Sequence, residues 1–519
     1  MLRNRVRPIL ANSVLRSWAG FCLGIATLST PAPAAEFLLK ITPCAPQNPI
    51  QEPLLCSLRQ AATQAQSGDQ ILISSATYPL LDRTFPKKSM NASAAAIAAD
   101  LGDILKIAFS KGLSIGGTTL GENPLINYSG QGNHPNMPEI EPRPAYALTV
   151  RIRACLAPGT ARFELQKIKF RNIKLFFDGF DCAQAETQTR LEIKKSQFEL
   201  YRPVYVTPCV PPSIPAEGCS IDTSKCESYM SNSILALRAM NRTVIDRSGF
   251  YRLARAPLEG KPDHIGNVLV LAGVSKLTIK NSHIYGRITT GINLVPTADS
   301  SGKILTPTQN TIESTSIQRT QDAWGEGEDH AIYAWGFDGL KVTGNQISGF
   351  SPCASGYAKF RNARNLLIEK NQFYGSGVAL YTYKISSNPS WEIFENITVR
   401  KNTVTLAVGE NGQHIACGTS PVPVVRQCMS DRNLPLEQTD NSIYYWSNLP
   451  SGKTPEKSLS LSENRFQGGL RIMSVTDQSQ WSLLNNTPMN GGSIQCPMKP
   501  TDRLPDLSSR ISPPPAPCN

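Results

Sequence analysis

Apolar positions along this chain recur in a short motif rather than in long runs. An apolar residue is followed by two polar ones, then by Asn, Ser or Thr, one further residue, and a second apolar residue. The motif occurs as Ile193/Ser196/Phe198, Ile245/Ser248/Phe250, Ile279/Ser282/Ile284, Ile312/Thr315/Ile317, Val342/Asn345/Ile347, Ile368/Asn371/Phe373, Val399/Asn402/Val404 and Leu461/Asn464/Phe466. Its polar markers are 52, 34, 33, 30, 26, 31 and 62 residues apart, so most intervals are one period and the two long ones look like two. The long gaps hold the Cys209 to Cys226 and Cys417 to Cys428 segments, as expected if decorated loops lengthen the coils there. Each unit has short β-branched or aromatic segments, such as 277–284 and 397–404, between Gly and Asn turns, and none holds a convincing helix. Parallel strands at this period, without crossover helices, satisfy their backbone by winding into a solenoid whose coils stack roughly 4.8 Å apart. The recurring Asn then has two expected roles. It can take left-handed backbone angles at a tight turn, and its amide can bond the equivalent Asn one coil away.

At the leading end, Leu54 to Gln66 reads as a short amphipathic helix, followed by GDQILISSATYPL at 68–80. This resembles the opening of the pectate lyase-like β-helix superfamily, in which a helix caps the first coil and a Gly-Asp turn starts the first strand. The next segment, GLSIGGTTLGENPLINY at 112–128, has the same look. The resemblance covers roughly 68–490 as architecture and implies an all-β chain, a right-handed parallel β-helix with a short N-terminal capping helix. A sheet solenoid must cover its terminal edges, and the tail after Trp481, ending in ISPPPAPCN, is expected to cover the far end as irregular chain. The expected boundaries are 1–35 signal peptide, 36–67 N-terminal strand and capping helix, 68–490 β-helix with disulfide-bearing loops, and 491–519 proline-rich tail.

Composition adds the compartment. Arg3, Arg5, Arg7 and Arg16 precede an apolar run from Trp18 to Leu28 and a small-residue stretch at 29–35, the layout of a cleaved secretory signal. An uncleaved anchor is the alternative, and no later stretch is apolar enough to span a membrane. Removing the segment takes away four arginines and no acid, so the formal charge goes from +12 to +8. That moderately basic balance suits an acidic polysaccharide, and equally suits simple solubility. Nucleic acid is not expected, since the basic residues form no runs. Of 13 cysteines, Cys22 leaves with the signal, and twelve remain for disulfides in an oxidising compartment. Cys44 with Cys56, Cys417 with Cys428, and Cys496 with Cys518 are local candidates. We expect a secreted or periplasmic monomer.

Five segments just upstream of the markers share a second pattern: VLVLAG from Val268, AIYAWG from Ala331, YAKFRN from Tyr357, ALYTYK from Ala379 and SIYYWS from Ser442. Alternate strand residues face opposite sides, so Leu269/Leu271, Ile332/Ala334, Ala358/Phe360, Leu380/Thr382 and Ile443/Tyr445 are expected to fill the interior. Val270/Ala272, Tyr333/Trp335, Lys359/Arg361, Tyr381/Tyr383 and Tyr444/Trp446 then point outward. A solvent face should be rich in Thr, Ser, Lys and Glu, so this aromatic ladder around two cations needs a reason. Rings stack on sugar faces and cations pair with carboxylates. A long loop folded over the face, or a protein partner, would account for it as well.

A lyase acting on a polyuronate needs a base, a neutraliser of enolate charge and an acid for the leaving oxygen. Lys359 or His330 is the candidate base, Arg361 the carboxylate clamp, and Tyr333, Tyr381 or Tyr383 the proton donor. Trp335, Tyr357, Tyr383, Lys384, Tyr444 and Trp446 are the expected substrate-binding residues. Lys359 is expected to be exposed, with its pKa lowered by Arg361. The segment 357–377 resembles loosely the catalytic coils of β-helical alginate and chondroitin lyases, which carry Lys and Arg on such a strand before an Asn turn. The Asp-Pro-His element usual in mannuronan epimerases is absent. In the loop DAWGEGEDH, Asp322, Glu326, Glu328 and Asp329 are hard ligands suited to calcium. A carboxylate pair from that loop or Asp338 would instead suit a glycosidase. A surface adhesin or glycan-binding scaffold without chemistry is the competing class.

Overall fold

The computed structural model describes residues 35–40, 53–80, 87–117, 137–142, 148–153, 162–180, 190–201, 233–252, 266–299, 301–320, 330–350, 357–383, 394–405, 441–448, 456–473, 481–490 and 492–495. They form a right-handed parallel β-helix, with one sheet of 22 strands and a second of 12. A typical coil begins with the strand His330–Thr343, which passes through Gly336 and Gly339 with left-handed φ of +59° and +79° and so covers two sides, and ends with Gln346–Ser348. The next coil repeats it as Tyr357–Glu369 and Gln372–Tyr374, with Asn362 and Asn365 left-handed at the matching positions. Register holds like beside like: Val342, Ile368, Val399 and Leu461 form one inward row, which Leu483 ends at an exposed position. Ile347, Phe373, Val404 and Phe466 form another, all buried. Stacking of apolar side chains at equivalent positions is thus what the motif encodes.

The marker residues form a ladder, although the left-handed residue is the one before each marker. Lys195, Arg247, Asn281, Ser314, Gly344, Lys370, Lys401, Glu463 and Asn485 all have positive φ. That leaves each marker side chain inside the coil. The N–H of Asn345 donates to Asn371 Oδ1 at 2.9 Å, Asn371 to Asn402 at 3.0 Å, Asn402 to Asn464 at 3.1 Å and Asn464 to Asn486 at 3.2 Å. Ser196, Ser248, Ser282 and Thr315 continue it with hydroxyls toward the N-terminus. The two long intervals are single coils, because Ile193 pairs directly with Ile245 and Val399 with Leu461. Insertions lengthen those coils without adding turns. A strand that the motif does not announce, Ile288–Val295, lies between the 268 and 331 segments.

The N-terminal helix α1 spans Pro53–Gln64, and a second, unanticipated helix α2 spans Lys87–Lys111. Buried Leu54, Leu55 and Leu58 of α1 and Ile104, Leu105 and Phe109 of α2 belong to the same apolar core as the coils. Phe109 meets Phe163 edge-on at 5.2 Å. The Lys111 ammonium donates to the carbonyls of Ala62, Thr63 and Ala65 at 2.9, 2.6 and 3.0 Å, supplying the positive charge that the last turn of α1 lacks. Asp69, after left-handed Gly68, accepts from the N–H groups of Ala35 and Gln66 and ties the opening turn. Residues 1–34 of the expected signal segment, the tail after 495 and the cysteines other than Cys56 lie outside the described residues. Cys56 is disulfide-bonded. Among the described residues no helix is long and apolar enough to cross a membrane.

Candidate functional site

The outer side of the first strand of each coil brings the aromatic and cationic residues together. One column reads Asn293, Tyr333, Lys359, Ala379 and Tyr444, and the next reads Trp335, Arg361, Tyr381 and Trp446. The strand Val378–Tyr383 is therefore displaced by two residues from the expected alignment, so Ala379 and not Tyr381 sits beside Lys359. A shift of two preserves which residues face inward: Ile332, Ala358, Leu380, Thr382, Ile443 and Tyr445 are all buried. Inside the coils the Tyr445 and Thr382 hydroxyls bond each other at 3.1 Å, which satisfies both.

A bulge shapes the upper edge. His330 pairs with Tyr357 and Ile332 with Ala358, which leaves Ala331 as an extra residue. His330 and Tyr333, three residues apart, thereby share the outer face with ring centroids 5.0 Å apart. Arg361 Nη1 donates to the Tyr333 hydroxyl at 2.5 Å, and its guanidinium lies 5.9 Å from the centroid of that ring. Lys359 Nζ lies 4.6 Å from the Tyr381 ring centroid and 5.9 Å from that of Tyr333. Tyr381 and Tyr444 meet edge-on at 5.4 Å.

Lys359 is not exposed as expected. It retains only 6% of its accessible surface, and Tyr357, Tyr381 and Tyr444 retain 3% each. Tyr357, Ala379, Tyr381 and Tyr444 make a small apolar cluster separate from the solenoid core. The face thus grades from half-buried His330, Tyr333, Trp335 and Arg361 to a closed aromatic niche around Lys359. Burial, and then the neighbouring Arg361 charge, depress the Lys359 pKa from 10.5 to about 7. A lysine there is an amine able to accept a proton near neutrality.

Of the residues anticipated for chemistry, Lys359, Arg361, His330, Tyr333 and Tyr381 lie on this face, and Trp335, Tyr357 and Tyr444 join them. The side chains of Tyr383 and Trp446, all of Lys384, and the proposed calcium ligands Asp322, Glu326, Glu328 and Asp329 lie outside the described residues. Asp338 sits on the adjoining side of the coil, accepting from Asn365 Nδ2 at 2.7 Å. Gly377 and Ala379 escaped the sequence reading. Their signal was smallness beside large rings, which alternation does not weigh.

A family model described as a right-handed β-helix region matches residues 267–448, which include this face. Among solved structures, the chain is similar to an alginate lyase from Paenibacillus sp. str. FPU-7 at 10% identity and TM-score 0.35, covering 89% of this chain and 97% of that one. It is similar to PfbA, a surface adhesin of Streptococcus pneumoniae, at 12% identity and TM-score 0.36, covering 85% and 89%. A mannuronic acid-specific polysaccharide family 6 lyase from human gut microbiota aligns at 9% identity and TM-score 0.33, covering 88% and 91%. A search of curated proteins finds no match. The family model, with the strand pairing above, defines the class as a right-handed parallel β-helix.

Proposed function

We propose that this is an exported polysaccharide-active protein performing lyase-type elimination on an anionic, uronate-containing glycan. The observation that carries the reading is Lys359: an amine with a pKa of about 7, held between tyrosine rings and two residues from Arg361. In this reading Arg361 pairs with the sugar carboxylate and stabilises the negative charge that develops on it. The neutral Lys359 amine takes the proton from the carbon bearing that carboxylate. A C4=C5 double bond forms, the C4–O bond to the next sugar breaks, and a tyrosine hydroxyl, Tyr333 or Tyr381, protonates the departing oxygen. Arg361, already bonded to the Tyr333 oxygen, would stabilise the charge left there. The acidic segment with Asp322, Glu326, Glu328 and Asp329 is proposed to hold calcium near the carboxylate. Secretion or periplasmic residence, paired cysteines and a monomeric state belong to the same proposal.

The burial of Lys359 favours a second reading, a non-catalytic scaffold or adhesin that binds glycan through the half-buried Tyr333 and Trp335 edge. Incubation with alginate, pectate and chondroitin, with and without calcium, separates the two. Elimination raises ultraviolet absorbance from unsaturated ends, with a rate that climbs through about pH 7 as Lys359 loses its proton. Lys359→Met should lower that rate by about 10²- to 10⁴-fold. Glycan binding without any absorbance change across the panel would leave the scaffold reading standing and sink the lyase.

A further inference from the structure

The backbone of Tyr357 is unusual for what it carries. Its φ is +81°, a left-handed conformation that a bulky aromatic residue rarely adopts, yet the side chain is almost fully buried. Left-handed residues elsewhere in the solenoid serve its turns, and the residues that precede the markers are mostly Lys, Arg, Asn, Ser or Gly. Tyr357 instead opens the strand that holds Lys359 and Arg361.

What accepts its ring is Gly377, one coil on. A Cβ built on Gly377 would lie 3.0 Å from Tyr357 Cε1, 3.1 Å from its Cδ1 and 2.4 Å from the Ser442 carbonyl. Only glycine leaves that space. From there Tyr357 joins Ala379, Tyr381 and Tyr444 in the outer apolar cluster. Ala379 is directly beside Lys359 in register, and its small side chain leaves room there for the lysine chain. Tyr381 supplies the ring under the ammonium. The strained tyrosine and the ring under the lysine therefore belong to one packed cluster.

We propose that Tyr357 is a positioning residue: seated over Gly377, it braces Tyr381 and so fixes the aromatic wall against which Lys359 is held. In taking Lys359 as the working group, the inference rests on the function proposed above, but its geometric content can be tested without turnover. Among the described residues, the charged and titratable groups around Lys359 are Tyr357 and Arg361 on its own strand, Tyr333 with His330 behind it on the preceding coil, and Tyr381 and Tyr444 on the following ones. Of these, substitution at 357 removes only the Tyr357 phenol, and Tyr357→Phe controls for that loss.

The experiment follows the Lys359 titration by nuclear magnetic resonance in the full chain labelled with ¹³Cε-lysine, the signal being assigned by its loss in Lys359→Met. Tyr357→Gly removes the ring while allowing the left-handed backbone, and Gly377→Ala displaces the ring together with the Ser442 carbonyl. Both should raise the midpoint by about one pH unit or more as water reaches the ammonium. Tyr357→Phe keeps the ring and should leave the midpoint in place. An unmoved midpoint in folded Tyr357→Gly overturns the inference, as does a shift in Tyr357→Phe equal to that in Tyr357→Gly. If Gly377→Ala does not fold, Tyr357→Asn, which tolerates the same backbone, takes its place. Failure of the lyase reading shows separately, as midpoints that shift as expected in a protein that turns over no uronate glycan.

Discussion

A lysine ammonium shut between tyrosine rings gains from their electron-rich faces and loses its water, and at Lys359 the loss dominates. This has a signed consequence for stability. The unfolded lysine keeps its proton up to about pH 10.4, whereas the folded one releases it at about 7. Between those values the unfolded chain binds more protons, so the contribution of Lys359 to stability rises with pH and its cost is greatest below 7. Lys359→Met, which keeps the length and removes the charge, should stabilise the protein by about 2–4 kcal/mol at pH 6. That gain should fade toward pH 10, as followed by urea unfolding at a series of pH values. A gain independent of pH would mean that the folded protein carries no buried ammonium there. His283, tilted against Tyr251 and stacked with Tyr285 on the other sheet, behaves in the same sense at a lower pH. Burial lowers its pKa to about 4, so stability is lost as pH falls from 6.5 toward 4. His283→Phe preserves the stacking and should flatten that acid-side slope in the same measurement.

Within the turn the asparagine ladder is the element that sets coil spacing. Asn371 accepts from both the backbone N–H and the Nδ2 of Asn345, at 2.9 Å each, and donates Nδ2 to Val342 O and to Asn402 Oδ1, again at 2.9 Å. Asn371→Ala strands buried donors and an acceptor and should cost about 3 kcal/mol in denaturant unfolding. Asn371→Ser should cost less, because Ser196, Ser248 and Ser282 show that a hydroxyl can serve as a rung. These rungs were legible because the motif spaces an apolar, a polar and an apolar residue identically in each coil. The first and last rungs were not: Ile168 is apolar where a marker belongs, and the last coil pairs Phe466 with Pro488. Interior positions such as Ile332 and Phe360 followed from alternation alone. The bulge at Ala331 and the two-residue displacement of Val378–Tyr383 did not, since both are decided by which coil lies next and not by the local sequence. Burial of Lys359 was hidden for a related reason: period-two reasoning sorts inside from outside but cannot tell an open outer face from a closed one.

Along the whole molecule the means of stabilisation changes from one end to the other. The early coils are bound by charge: Lys169 bridges Glu139 at 3.2 Å and Glu199 at 3.1 Å, and Arg171 reaches the same two carboxylates at 2.9 and 3.1 Å. One strand further on, Asp178 holds Arg238, at 2.7 and 2.6 Å, and Arg151. Burial would push the Asp178 carboxyl up, but hydrogen bonds from Arg238, from the Phe180 N–H and from Arg151 together hold it below the ordinary carboxylate range. The coils from Thr315 to Asn486 add to more exposed ion pairs, such as Arg364–Glu395 and Arg400–Glu369, the buried uncharged amide ladder. A solenoid coil contacts chiefly its neighbours, so a local loss of stability need not spread through the chain. A depressed carboxyl contributes stability that is present above its unfolded pKa and lost as pH falls through the folded one, while amides do not titrate. Acid should therefore loosen the molecule from its N-terminal half. On going from pH 5 to about pH 3, hydrogen exchange of peptides covering Phe163–Asp178 should accelerate well beyond the intrinsic change, while those covering 342–348 and 366–373 keep their protection. Uniform loss of protection in both regions would show that the solenoid melts as one cooperative unit, and that its two kinds of rung do not divide it.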